Sequence, residues 1–249
     1  MNYGIILAAG NGKRMKTKQK KQFISINNKP ILLYSLEKFL KIKQIDILIL
    51  VINNDDKNNP VIKNLIKKYD KLIYKNKLFI VTGGKERYDS VYNALSFINQ
   101  VFSINKSDKV LIHDSARPNV DPNDIINLIK SLNKYKAITL GYKLSDSIKY
   151  IKSSAKQVKE VIKSVNRDDY YLISTPQGFN LDLLYNSYLK YNIDMSNKTK
   201  NMTKNMLKIT DDLQIIEYYS KSKTYVLDSS KLNYKITTQE DLNMVKYLL

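Results

Sequence analysis

Several short stretches of this chain pair glycine or small residues with cations and a carboxylate, a combination suited to phosphate chemistry. The first is Leu7-Ala8-Ala9-Gly10-Asn11-Gly12-Lys13-Arg14-Met15, followed by Lys21-Gln22-Phe23. Small residues at Ala8, Ala9, Gly10 and Gly12 let backbone N–H groups approach phosphates, while Arg14 and Lys21 bring fixed positive charge. A dinucleotide loop needs glycine or alanine at residue 15, where Met15 stands, and a Walker A loop needs Gly-Lys-Ser/Thr, where Gly12-Lys13-Arg14 stands. The stretch therefore reads as a polyphosphate loop of another kind, with a tight turn carrying solvated cations as the plain alternative. A second stretch, Gly83-Gly84-Lys85-Glu86-Arg87-Tyr88-Asp89-Ser90, offers backbone amides and carbonyls to a base edge, with the Ser90 hydroxyl beside them. A third, His113-Asp114-Ser115-Ala116-Arg117-Pro118, sets a carboxylate near an arginine. Thr175-Pro176-Gln177-Gly178-Phe179, Thr210-Asp211-Asp212 and Lys235-Ile236-Thr237 complete the candidates.

These residues need a scaffold, and the hydrophobic pattern supplies one. Apolar runs at Tyr3 to Ala8, Ile45 to Ile52, Leu78 to Thr82, Lys109 to Ile112 and Ala137 to Gly141 alternate with amphipathic stretches, the pattern of βα units around a mainly parallel sheet. Helices are expected from Pro30 to Lys41, Pro60 to Lys68, Tyr88 to Ile98, Pro122 to Lys134 and Thr238 to Leu249, with Thr238 as N-cap and Pro30 and Pro122 in a first turn. Gly10, Gly12, Gly83 and Gly84 then fall in loops directly after strands, where open α/β sheets bind ligands. The polar, β-like stretch 142–165 reads as an arm leaving the sheet. The Asn- and Lys-rich stretch 194–208 reads as a surface insertion in a single domain spanning 1–249.

Composition narrows the possibilities. With 249 residues, 43% hydrophobic and 26% charged, the chain can bury a sizeable core. Absence of cysteine removes disulfides and thiolate chemistry, and no apolar run is long enough for a membrane span, so a cytoplasmic, reducing setting is expected. The net charge of +19 raises the question of nucleic acid, yet only Arg14, Arg87, Arg117 and Arg167 among 42 basic residues are arginines. The lysines are dispersed and form no basic block interleaved with aromatics, so a solvated surface is the reading, with neither nucleic acid nor membrane as partner. The arginines all sit in or beside the candidate motifs, which suits work that lysine performs less well.

In order and spacing, these motifs resemble the methylerythritol-phosphate cytidylyltransferases of non-mevalonate isoprenoid synthesis across nearly the whole chain. The resemblance implies a Rossmann-like, three-layer nucleotidyltransferase fold of GT-A type with a protruding β-arm for dimerisation. It implies transfer of CMP from CTP to 2-C-methyl-D-erythritol 4-phosphate with release of pyrophosphate. A phosphate monoester is already ionised at neutral pH, so such a site needs charge to stabilise the transition state rather than a general base. By similarity Arg14, Lys21 and Lys235 are catalytic. Ala8, Ala9, Gly10, Gly12, Gly83, Gly84, Arg87, Ser90 and Asp114 bind the nucleotide, Arg87 shaping its loop. Arg117, Ser147, Arg167, Thr175 and Asp211 serve the polyol phosphate, Asp211 facing the metal, pairing with Lys235 or simply capping a helix. Mg²⁺ is the expected cofactor, held mainly by CTP phosphates with Asp114 beside it, and His113 is structural. Arg167 would reach the partner subunit's site, making the enzyme a homodimer.

The sequence departs from the family pattern at two points. Ser147 stands where threonine is commoner, and Lys20 replaces the proline before the Lys-Gln pair, which suggests a less rigid loop around Lys21. A ribitol-phosphate cytidylyltransferase shares the glycine loop, the Lys-Gln pair and the base-binding loop. His113-Asp114-Ser115 leans that way, whereas Ala8-Ala9-Gly10 and Thr210-Asp211-Asp212 lean to methylerythritol phosphate. A basic RNA- or lipid-binding module is the remote alternative, and it leaves the motif spacing unexplained.

Overall fold

The computed structural model describes residues 1–10, 12, 15, 19–152, 157–197 and 209–249. β1 (Asn2–Ala8) leads through a small hairpin, β2 (Ser25–Ile26) and β3 (Lys29–Pro30), into α1 (Ile31–Lys41), β4 (Ile47–Ile52), α2 (Pro60–Lys68) and α3 (Asp70–Tyr74). There follow β5 (Leu78–Thr82), α4 (Arg87–Phe102), β6 (Lys109–Asp114), α5 (Pro122–Ser131) and β7 (Ala137–Lys143). The second half adds the hairpin of β8 (Lys149–Ile151) and β9 (Val161–Ser164), then β10 (Tyr171–Asn180), α6 (Leu181–Asn197), α7 (Asp212–Tyr219), β11 (Tyr225–Asp228) and α8 (Gln239–Lys246).

The main sheet has seven strands in the order β11-β7-β10-β6-β1-β4-β5. β1 pairs in parallel with β4 and β6, β4 with β5, and β7 with β11, whereas β10 runs antiparallel to both neighbours. Two-residue alternation gives each strand an apolar side chain for each face. Leu48, Leu50 and Ile52 of β4 join Leu32, Leu36 and Phe39 of α1 and Leu128 of α5 on one side. Ile47, Ile49 and Val51 meet Val91, Leu95 and Ile98 of α4, Leu184 and Tyr188 of α6 and Ile216 of α7 on the other. The result is three layers, helices on both faces of a largely parallel sheet, as expected. A third cluster seats α8 through Leu242 and Val245 against Met15, Ile26 and Ile236, beside the first glycine loop. Thr238 caps α8 as expected, in a capping box with Asp241.

Three expectations about elements need correction. Pro30 lies in β3, just before the first turn of α1, whereas Pro60 and Pro122 open their helices. The sequence pattern marks β10 only as a motif, because Pro176 and Gly178 argue against a central strand. It is accommodated where the ladder with β7 shifts register between Ile173 and Gln177. Residues 194–197 of the expected insertion are the last turn of α6, and 198–208 lie outside the described residues. The stretch 142–165 does leave the sheet: β7 continues to Lys143, and β8 and β9 then form their own two-stranded hairpin.

Candidate active site

Parallel strands β1, β4, β5 and β6 bring their C-terminal ends to one edge, where a cavity of about 330 Å³ opens. Its walls are the turn after β1 (Ala8, Ala9, Gly10, Gly12), the start of α4 (Gly84 to Arg87 and Ser90), the end of β6 (Asp114 to Ala116), and Lys21 and Lys235. Loops distant in sequence therefore meet at one crevice, the location that this topology favours. Gly12 has φ +63°, the left-handed region that glycine enters without steric cost. A side chain at Gly10 would meet no atom within 4 Å, so its absence leaves the crevice open.

Asp114 is the centre of charge. Its Oδ2 accepts from Lys235 Nζ at 2.6 Å, and Arg87 Nε lies 3.5 Å from its Oδ1. Burial alone would raise its pKa, but the charges of Arg87, Lys235 and Arg117 hold it well below the usual carboxylate range. Lys21 Nζ donates to the Ile236 carbonyl at 3.1 Å, next to Lys235, so the two lysines expected to be catalytic occupy the same wall. Gln22 is buried, and its side-chain amide donates to the Ala8 and Gly10 carbonyls at 2.9 and 3.1 Å, tying its segment to the turn after β1. Lys20, where the resemblance leads one to expect proline, has φ −62° and ψ 136°, and its Nζ pairs with Asp56. Arg14 lies outside the described residues.

The second glycine loop is held from within. Gly83 N–H donates to the Ile52 carbonyl at 2.8 Å and Gly84 N–H to Ser90 Oγ at 3.1 Å, while Ser90 donates to the Glu86 carbonyl. Both amides, which the sequence reading offered to a base edge together with the carbonyls, are thus engaged within the protein. Arg87 faces inward. Its Nη1 and Nη2 donate to Asp212 Oδ1 and Oδ2 at 2.8 and 2.7 Å, and Tyr188 donates to Oδ1 at 2.6 Å. The Asp212 amide donates to Gln177 Oε1. Burial disfavours a charged Arg87, but Asp212 and Asp114 more than compensate, and its pKa is raised.

Of the acceptor candidates, none lines this cavity. Thr175 is buried beneath it, where Oγ1 accepts from the Asp114 amide at 3.1 Å and meets His113 Nδ1. His113 is fully buried, its Nε2 beside the Arg117 carbonyl, and burial pushes its pKa down to about 4, so at neutral pH it is an uncharged structural residue. Arg117 donates from Nη1 to the Asn233 carbonyl at 2.8 Å, and no carboxylate lies within 4 Å of it among the described residues. Ser147 is exposed on the arm, and Arg167 at the arm's base donates to the Ser145 carbonyl. Asp211 is the N-cap of α7, accepting from Gln214 N–H at 3.1 Å, and Lys235 pairs with Asp114 instead. Gly83, expected at the nucleotide, does not line the cavity but packs against Ala9, which does: a Cβ there would lie 2.6 Å from Ala9 Cβ.

Sequence reasoning missed Asp212 and Tyr188, the buried partners that aim Arg87. The doubled acid of Thr210-Asp211-Asp212 was visible, but only the start of α7 decides that Asp211 caps and Asp212 points inward.

The family described as 2-C-methyl-D-erythritol 4-phosphate cytidylyltransferase matches this chain over residues 3–249. A Clostridium botulinum (strain Langeland / NCTC 10281 / Type F) protein of that name is 40% identical over 250 residues, covering 100% of this chain and 97% of the relative. The crystal structure of 4-diphosphocytidyl-2C-methyl-D-erythritol synthase from Anaerococcus prevotii superposes with a TM-score of 0.77 at 30% identity, covering 99% of this chain and 95% of that one. The cytidylyltransferase structure from Francisella tularensis gives 0.73 at 28% identity, covering 100% and 99%. A match along the whole length, on a sheet whose strand ends gather the residues that the motifs singled out, places this chain in the 2-C-methyl-D-erythritol 4-phosphate cytidylyltransferase family and so among the nucleotidyltransferases.

Proposed function

We propose that the chain transfers CMP from CTP to 2-C-methyl-D-erythritol 4-phosphate in the non-mevalonate isoprenoid pathway, as a cytoplasmic homodimer. The observation that carries this is the convergence of Lys21, Lys235 and the Arg87–Asp114 pair on one crevice between two glycine loops. An oxygen of the acceptor phosphate attacks the α-phosphorus of CTP, the bond to the bridging oxygen breaks, and pyrophosphate leaves with that electron pair. No proton has to move. Charge on the five-coordinate phosphorus rises in the transition state, and Lys21 and Lys235, with Arg14 by resemblance, stabilise it there. The carbonyls of Gly83 and Gly84, in a loop braced by Ser90, face the cytosine.

Among the described residues no group of three or more His, Asp or Glu could hold a metal ion. Of the two cavity carboxylates, Asp114 is already bound to Lys235 and Glu86 caps α4, a set that suits Mg²⁺ keeping mainly phosphate and water ligands. Bound there with the triphosphate, Mg²⁺ would neutralise charge on the departing pyrophosphate. By resemblance Arg117, whose charge acts on Asp114, would take the acceptor phosphate.

The arm supports the homodimer. A two-stranded ladder is marginal alone, yet Tyr150 of β8, Val161 and Ile162 of β9 and nearby Val158 are exposed to 53–84%. A second copy covering them would bring Ser147 and Arg167 to the neighbouring site. Mixing Arg167→Ala with Lys21→Ala chains should restore up to about half of wild-type activity per heterodimer. Confirmed exchange without recovery refutes the shared site. The substrate is tested by pyrophosphate release from CTP and Mg²⁺ with each polyol phosphate: higher kcat/KM for ribitol phosphate overturns the acceptor, and salt-dependent RNA retention without CTP turnover overturns the reaction.

A further inference from the structure

We infer that the Lys20–Asp56 ion pair is a positioning device for Lys21, tying the segment that carries this lysine to the turn after β4. The inference rests on the role proposed above for Lys21. Lys20 Nζ donates to Asp56 Oδ1 at 2.7 Å, and Asp56 is 5% exposed in the short 3-10 turn Asn54–Asn58. That turn is itself anchored: the Asp56 amide donates to the Asn53 carbonyl, and the Asn53 side chain accepts from the Asp55 amide. It follows directly on β4, in the middle of the sheet's parallel half.

Lys21 stands between residues fastened to different parts of the fold. On its C-terminal side Gln22 is bonded to the Ala8 and Gly10 carbonyls, and the Phe23 ring is in the core beside α1. On its N-terminal side the anchor is Lys20. The Lys20 backbone, at φ −62° and ψ 136°, has the φ that a proline ring would impose, but a lysine is free to leave it. The ion pair supplies the restraint from the far end of the side chain. Asp56 Oδ2 is buried with no hydrogen-bond partner, so the carboxylate depends on Lys20 to offset its desolvation. Among the described residues the Lys20 N–H makes no hydrogen bond, and its carbonyl accepts from Phe23 N–H at 3.0 Å, so a proline at position 20 would remove the side-chain pair but no backbone hydrogen bond among these residues.

A rescue experiment separates this role from general stability. Wild type, Asp56→Ala, Lys20→Met, Lys20→Pro and the Asp56→Ala/Lys20→Pro double variant are compared by amide hydrogen exchange of peptides covering 19–26 and by pyrophosphate release from CTP. Loss of a mostly buried pair should speed exchange in 19–26 about tenfold in Asp56→Ala and lower kcat about tenfold, with the KM for CTP changing less than about threefold. Adding Lys20→Pro should return both to within about threefold of wild type, because the ring restores the φ restraint without the ion pair. Lys20→Met breaks the pair from the other side and decides the matter if Asp56→Ala fails to fold. Unchanged exchange in Asp56→Ala and Lys20→Met, or faster exchange in Asp56→Ala that proline does not correct, overturns the inference. If wild type releases no pyrophosphate, the assignment of Lys21 fails, while the exchange data still decide whether the pair holds the segment.

Discussion

Replacing Asp212 with asparagine keeps the shape of the side chain and removes its charge, which isolates what the buried acid does for Arg87. Asp212 is fully buried and accepts three hydrogen bonds on its two oxygens, two from Arg87 and one from Tyr188. The side-chain amide introduced by Asp212→Asn would turn its own N–H groups towards one of these donors and leave the guanidinium charge without its closest partner. Breaking a fully buried pair costs about 3–5 kcal/mol. Because the Arg87 side chain keeps 29% exposure, solvent recovers part of this, and about 2–4 kcal/mol is expected. At roughly 2–4 °C per kcal/mol for a chain of this size, Tm should fall by roughly 5–15 °C. Tyr188→Phe removes one hydrogen bond to a charged acceptor, about 1.5–3 kcal/mol, and its effect should combine with that of Asp212→Asn by less than the sum, because both act on Oδ1. Calorimetric melting of both variants and the double variant measures this. CTP titration should show about tenfold weaker binding in Asp212→Asn, since an unanchored Arg87 no longer supports Asp114. An Asp212→Asn protein that melts within about 2 °C of wild type, or strict additivity with Tyr188→Phe, would refute the reasoning.

Lys21→Ala and Lys235→Ala should each lower kcat by about 10²-fold with smaller effects on CTP binding, read by pyrophosphate release on folded protein. Gly84→Ala should weaken CTP binding and stability together, because a Cβ there would lie 2.2 Å from Asp89 Cβ and force the loop away from α4; normal calorimetric binding and melting would contradict that. Glu37 gives an acid-stability signature: burial would raise its pKa, but hydrogen bonds from Lys29, Lys68 and Tyr69 lower it from 4.5 to about 2. Since the folded state holds its proton more weakly than the unfolded chain, its contribution is complete above pH 4.5 and is lost as pH falls towards 2. Urea unfolding of Glu37→Gln should show a flatter stability profile across that window than wild type. His113, with its pKa lowered by burial to about 4, adds a separate loss as pH falls from 6.5 to about 4, because only the unfolded chain takes up the proton readily.

Local sequence carried a large part of this protein. Uninterrupted apolar runs marked β1, β4, β5, β6 and β7 because a strand buried on both faces needs apolar side chains in both alternating sets. Small residues after those runs marked the crevice, since parallel strands end on one side of the sheet. Cap and proline chemistry marked the starts of α2, α5 and α8. Other features depended on long-range contacts that no local pattern encodes. β10 has a proline and a glycine within it and is a strand because β6 and β7 hold it on both sides. β11 is four residues at an edge, too short to signal its pairing with β7. Asp211 and Asp212 are adjacent and chemically identical, yet one caps a helix and the other binds Arg87, 125 residues away in sequence. The direction of each follows from where α7 begins against β10 and α6. Asp56, too, carried no sequence signal, because its link to Lys20 exists only where the turn after β4 meets a residue 36 positions away in sequence. Residue type and spacing thus determined which groups could handle phosphate. Which of them face the crevice, and which hold the others in place, was decided by packing between elements far apart in the chain.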